Sequence, residues 1–219
     1  MPLELRYDPF SIQPDGLHIK ASLLSAAQQS AYQIGGYRRF GSGMLLSRKT
    51  FTFGHVSMVA RLPSARGAWA DLWLLTESHQ WPPEIDIFES MPWGKHRQQL
   101  HFGALVPKGT PGGFGKWAEL DTDLSSGFHQ YDLDWTPETL TASFDGKVYW
   151  QQPTPPSLHQ SMYLIINFAV GGKWPFNELN VQPIDSVSPD RLSAGADLIQ
   201  SDYPSEMVVK SVRVSALKN

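Results

Sequence analysis

The chain predicts an all-β fold, an antiparallel β-sandwich, and three observations carry that reading. About a dozen short runs rich in β-branched and aromatic residues recur along the 219 residues, most of them bounded by turn formers. Gly and Pro, 18 and 17 residues, modestly exceed their average share, so the chain is heavily punctuated. No segment shows a long apolar stripe at helical spacing. All-β sandwiches of this length commonly form one domain, so residues 1–219 are expected to fold as a single unit.

Taken in order, the first strand is expected over residues 17–24, and the second over 43–46, after the tight bend Gly41-Ser42-Gly43. Residues 54–62 are β-branched and apolar and stop at Pro63. Runs at 68–75, 84–89 and 98–106 follow. Residues 129–135 alternate, with His129, Tyr131, Leu133 and Trp135 on one face and Gln130, Asp132 and Asp134 on the other. Leu140, Ala142 and Phe144 alternate into Asp145-Gly146, a hairpin turn, and 147–150 returns. Residues 162–170 and 208–214 complete the set. Short helices are expected at 22–30 (SLLSAAQQS) and 190–199, and 175–206 reads as a surface insertion.

Bulk properties narrow the partners. A net charge of −3 shows no electrostatic footprint for nucleic acid. No run approaches the roughly 20 apolar residues that a membrane-spanning helix needs, so no membrane partner is expected. The opening MPLELRYDPF lacks the basic and apolar regions of a secretion signal, which fits a cytosolic chain, a processed one or a piece of a longer protein. Zero cysteines exclude disulfides and thiol chemistry. Seven histidines without HExxH or HxH spacing argue against a catalytic metal.

The chemistry concentrates in Glu84-Ile85-Asp86-Ile87-Phe88-Glu89. In a regular strand Glu84 and Asp86 share a face, and Glu89 falls on the other. One extra residue at a β-bulge, expected at Phe88, restores parity, aligns the three acids and leaves Ile85 and Ile87 for the core. A charged edge strand that resists aggregation is the plainer reading, but such guards are commonly Lys rather than acids of one sign. Clustered carboxyls force their proton affinities apart, and two carboxyls so split are what glycoside hydrolysis uses. Trp69 and Trp73 share a strand face, Trp81-Pro82-Pro83 leads into Glu84, and His101 lies on the polar face of a later strand. Rings beside carboxylates suit a sugar, whose C–H faces stack while its hydroxyls meet polar groups.

With these residues in view, the chain resembles glycoside hydrolase family 16, in its laminarinase-like form with the bulged acid strand. The match rests on EIDIFE at 84–89, GAWADLWLL at 67–75, GFHQYDLDWTPETLTASFDGK at 127–147, YLIINFAVGGKWP at 163–175 and SEMVVKSVRV at 205–214, in family order. The resemblance implies a concanavalin A-like β-jelly-roll, two curved antiparallel sheets with a concave substrate cleft. It implies a retaining endo-β-glycanase acting on a polysaccharide, first of all β-1,3- or β-1,3-1,4-glucan. Glu84 would be the nucleophile, Glu89 the general acid and base, and Asp86 the carboxyl between them. Trp69, Trp73 and Trp174 would form sugar platforms, with Trp81 and His101 beside the acids. The resemblance also implies an extracellular or periplasmic, monomeric enzyme without a cofactor. An acidic or galactan-type exopolysaccharide as substrate, transglycosylation, and a non-catalytic lectin-like module stay open.

Three departures from the family pattern stand out. The opening strand before Gly16 reads as reduced or missing. Lys210 stands where many members carry an Asp that helps to hold calcium, and a cation there argues against that ion. Pro175-Phe176 replaces the usual Pro-Gly. Gly112-Gly113-Phe114-Gly115 is expected as a cleft-rim loop, Trp93 and Trp117 near the cleft, and Trp135 and Trp150 in the sandwich. Arg38-Arg39 and Lys95-His96-Arg97 read as solvated surface, with recognition of an anionic polysaccharide as the functional option.

Overall fold

A computed structural model describes residues 2–32, 39–172 and 200–217. The expected helix at 190–199 and most of the expected insertion lie outside these residues. The strands are β1 (Phe10–Gln13), β2 (Gly16–Leu23), β3 (Phe40–Gly41), β4 (Gly43–Leu46), β5 (Gly54–Arg61), β6 (Ala68–Thr76) and β7 (Glu84–Ser90). They continue with β8 (Gln99–Leu105), β9 (Phe114–Glu119), β10 (His129–Trp135), β11 (Thr139–Phe144), β12 (Lys147–Pro153), β13 (Met162–Val170) and β14 (Ser205–Ser215). One sheet has eight strands, in the order β1-β2-β14-β5-β10-β11-β12 with β3 beside β2; the other has six, in the order β4-β13-β6-β7-β8-β9. The paired strands among the described residues run antiparallel.

Alternation explains why these runs become strands. Along β5 each second residue is buried, and Val56, Met58 and Ala60 enter the core. Tyr131, Leu133 and Trp135 do the same from β10, while Leu72, Leu74, Ile85, Phe102 and Phe168 face them from the six-stranded sheet. The sheets meet where the Phe88 and Tyr131 rings lie 4.4 Å apart. The β11–β12 turn has positive φ at both Asp145 and Gly146, the pattern of a type I′ hairpin, in which glycine bears no steric cost.

Sequence and structure differ in four places. The opening strand is reduced but not missing: β1 spans four residues and pairs with β2 from Phe10↔Ile19 to Gln13↔Gly16. β9 forms the edge beside β8, although only Ala118 of its six residues is buried and no alternation marks it in the sequence. The helix near residue 25 is shorter than expected, Ala26–Ala31, because Ser22 and Leu23 stay in β2 paired with Gly41 and Phe40. It begins at a capping box, in which the Gln28 amide N–H donates to Ser25 Oγ and the Ser25 N–H donates to Gln28 Oε1. The bulge residue, fourth, also differs and is described with the site.

Candidate active site

The β6–β7 ladder pairs Asp86 with Trp73 and Phe88 with Leu72, which leaves Ile87 as the extra residue on β7. On the other side Asp86 pairs with Gly103 and Glu89 with His101, so Ile87 and Phe88 together oppose Phe102. The bulge therefore centres on Ile87, not on Phe88 as the sequence suggests. Both side chains enter the core, and a strand taking two consecutive residues inward must turn the next one outward. Glu84, Asp86 and Glu89 consequently share the cleft face.

Strand register then carries one row of side chains across the whole sheet. Met44 on β4 opposes Asn167 on β13, which opposes Asp71 on β6, then Glu89 on β7, His101 on β8 and Trp117 on β9. Beside it runs a second row, Trp73, Asp86, Gly103 and Gly115. The two glycines keep that floor low. A Cβ on Gly103 would lie 3.3 Å from Asp86 Oδ2, and one on Gly115 would lie 2.2 Å from His101 Nε2.

Hydrogen bonds hold the acids in place. Trp81 Nε1–H donates to Glu84 Oε2 at 2.9 Å. Glu89 Oε1 accepts from Trp69 Nε1–H at 3.2 Å, and its Oε2 lies 2.9 Å from His101 Nδ1. Asn167 accepts from Trp73 Nε1–H at 2.7 Å through Oδ1 and donates through Nδ2 to Asp71 Oδ2 at 2.5 Å. Burial pushes the Glu84 carboxyl up to about 7; the Trp81 N–H opposes this and the Glu89 charge adds to it. Asp86 is held well above the ordinary carboxyl range, by burial first and then by Glu89 and Glu84. Asp71 is held well above it too, by burial and by Glu89, against the opposing donation from Asn167.

The acids sit in an open cleft of about 1100 Å³ lined by Trp69, Trp73, Trp81, Phe114 and Trp117 and reaching Met44. Trp69, Trp73, Trp81 and His101 thus lie where the sequence places them; Trp174 and Arg38 are outside the described residues. Gly113 and Phe114 line the rim, but Phe114 and Gly115 belong to β9 and not to a loop; Trp135 and Trp150 are core residues, and Trp93 is partly buried against a hydrophobic cluster and is not among the cleft-lining residues. His96 is buried with its ring stacked on Trp117, so this member of the expected solvated basic run is not at the surface. Asp71 and Asn167 were not singled out from the sequence. Asp71 carries a parity signal, lying midway between Trp69 and Trp73, and Asn167 is the one polar residue among the apolar neighbours of YLIINFAV. Asp86, Glu89 and His101 each offer a donor atom within 4.8 Å of the others, a spacing that a cation could bridge. Both Glu89 oxygens already face N–H or ring-nitrogen partners, an arrangement suited to moving protons.

Residues 16–180 match the family model described as glycosyl hydrolases family 16. An endo-1,3-1,4-beta-glycanase of Rhizobium meliloti, ExsH, is 33% identical over 169 residues, covering 75% of this chain and 35% of that protein. The chain therefore spans about a third of that relative's length. A beta-glucanase of Rhodothermus marinus is 31% identical over 204 residues, 81% of this chain and 63% of that protein. The solved laminarinase from Rhodothermus marinus superposes with a TM-score of 0.73 at 25% identity over 98% of this chain and 82% of that one. A laminarinase catalytic domain from Thermotoga maritima gives 0.73 at 22% identity, with the same coverage, a likeness of fold: the β-jelly-roll sandwich.

Proposed function

The chain belongs to glycosyl hydrolase family 16, and from that membership we propose that it is a retaining endo-β-glucanase, acting on β-1,3- or β-1,3-1,4-glucan. The observation that carries this reading is the bulged strand: it sets Glu84 and Glu89 on one face of an aromatic cleft, each carboxyl held by a tryptophan N–H.

In the proposed reaction a Glu84 oxygen attacks the anomeric carbon as Glu89 gives its proton to the departing glycosidic oxygen. A C–O bond forms to Glu84 and the glycosidic C–O bond breaks. Water then attacks the same carbon while Glu89 takes its proton, and the Glu84 ester breaks. Two inversions at one carbon return the original β configuration. Asp86, whose burial and neighbouring carboxyls favour its protonated form, stands between the pair where a third negative charge would repel both. Trp69, Trp73 and Trp81 present ring faces to the sugars.

The proton donor and the nucleophile are both carboxyls, so the reaction as written needs no metal or cofactor. At the β14 position where the resemblance puts a calcium-binding Asp, the exposed Lys210 lays its ammonium 5.4 Å over the Phe128 ring. Among the described residues no helix is long and apolar enough to cross a membrane. We take the protein to act as a monomer on extracellular or periplasmic polysaccharide.

The test is reducing-sugar release from laminarin and lichenan, with proton NMR of the first anomer formed. Release of the β-anomer, abolished in Glu84→Ser and Glu89→Gln, is expected. An initial α-anomer overturns retention, equal release by all three proteins overturns the residue assignment, and retardation on substrate gels without cleavage indicates a lectin-like binder.

A further inference from the structure

Asp71 is the fourth carboxyl of the cleft and the reaction above leaves it without a task. It stands directly opposite Glu89 in the β6–β7 ladder, which puts the two Cβ atoms about 4.5–5.5 Å apart on the same face. It is buried, 4% exposed, between Trp69 and Trp73. Its Oδ2 accepts from Asn167, while its Oδ1 is buried with no hydrogen-bond partner among the described residues. A buried carboxylate oxygen without a donor is costly, and protonation relieves this only if the hydroxyl can donate to a neighbouring acceptor, for which Glu89 stands opposite. The groups facing Asp71 are Glu84, Asp86 and Glu89 from β7 and uncharged Asn167 from β13, with His101 of β8 next along the row; no Lys or Arg lines the cleft among the described residues.

We propose that Asp71 is a positioning residue that shares a proton with Glu89 across the β6–β7 ladder, acting as the reserve from which Glu89 is loaded. The proposal rests on Glu89 being the general acid. Two adjacent carboxyls resist losing both protons, so the pair gives up its second proton at a higher pH than a lone carboxyl would. That proton can sit on either residue. When substrate covers Glu89 and excludes water, the charged form of Glu89 is disfavoured and the proton moves from Asp71 Oδ1 to Glu89, leaving Asp71 ionised but bonded by Asn167. Glu89 then gives the proton to the leaving oxygen, and recovers one from the attacking water in the second step. Burial and the three neighbouring acids, which hold Asp71 far above the ordinary range, suit it to keep this proton when the cleft is empty. The same bonds tie Trp73, through Asn167, to the acid pair.

Asp71→Asn keeps the shape and the acceptor for Asn167 but cannot hold the shared proton. In this variant the reserve is gone, and the alkaline limb of kcat/KM is expected about one pH unit or more lower than in the parent. The thermal midpoint is expected close to that of the parent. An unchanged alkaline limb overturns the proposal. Infrared spectra of the full chain near pH 8 give an activity-independent readout: the protonated-carboxyl C=O band is expected to weaken in Asp71→Asn, and an unchanged band also overturns it. Glu89→Gln on an aryl β-glycoside with a good leaving group separates the two ideas, since such a group departs without a proton. If Glu89→Gln loses activity on glucan but still releases a burst of aryl alcohol in the first step, with the second step slowed, the acid and base assignment holds and the Asp71 result stands alone. If it keeps full turnover on both, that assignment and the Asp71 proposal fall together.

Discussion

Trp81 donates its indole N–H to Glu84 at 2.9 Å while 64% of the residue remains exposed in the cleft. One ring can therefore steady the carboxylate proposed as nucleophile and still offer a face to a sugar.

That dual position makes a pH prediction. Glu84 attacks only when ionised, and its carboxyl is pushed up to about 7, so the acid limb of kcat/KM is expected near that pH. The Trp81 N–H favours the charged form, so its loss lets the proton leave only at higher pH. Trp81→Phe is expected to move the acid limb upward by about half a unit to one unit. Its KM should change little because a stacking face remains. A limb that stays in place in a pH–rate series would show that the N–H does not set the charge of Glu84.

Gly115 makes a second. A methyl there would lie 2.2 Å from His101 Nε2, so Gly115→Ala must push the imidazole off the position from which its Nδ1 meets Glu89. Displacements of this size cost about 10²-fold in rate when they misplace a reacting group. We expect kcat to fall by about ten- to a hundredfold with KM within about twofold. The thermal midpoint should move little, since Gly115 is an exposed edge residue of β9. Unchanged kcat would remove His101 from any part in orienting Glu89.

A third prediction concerns stability. His18 on β2 lies 2.8 Å from both Asp15 and Glu206, the latter on β14. Burial lowers its proton affinity, but the two carboxylates outweigh this and leave it above the ordinary 6.5. A raised folded value means that the folded state binds the proton more tightly than the unfolded chain. The contribution is thus complete below about 6.5 and is lost as pH rises through the folded value. The thermal midpoint is expected to fall over that window, and His18→Gln to flatten the fall. Parallel melting curves for both proteins at each pH would sink the idea.

The β10–β11 hairpin was legible because alternation and Asp145-Gly146 are local signals, set within neighbouring residues. The acid row was legible through parity: three carboxyls at i, i+2 and i+5 demand one extra residue to share a face. Parity does not say which residue is extra, because Ile87 and Phe88 are both apolar and both end in the core. β9 was not legible as a strand, since an edge strand exposed on most of its surface needs little hydrophobic pattern and borrows its order from β8. The partnership of Asp71 with Asn167, 96 residues apart, exists only once β6 and β13 pair.

The row from Met44 to Trp117 also works as a measuring edge. Six strands at roughly 4.8 Å spacing give it a length of about 24 Å. Glu89 is the fourth mark from the β4 side and the third from the β9 side, so the proposed cutting point stands off-centre. A chain lying along the row is divided at a fixed distance from each margin. The shortest fragments left at the end of digestion would then be set by the width of a sheet, counted in strands.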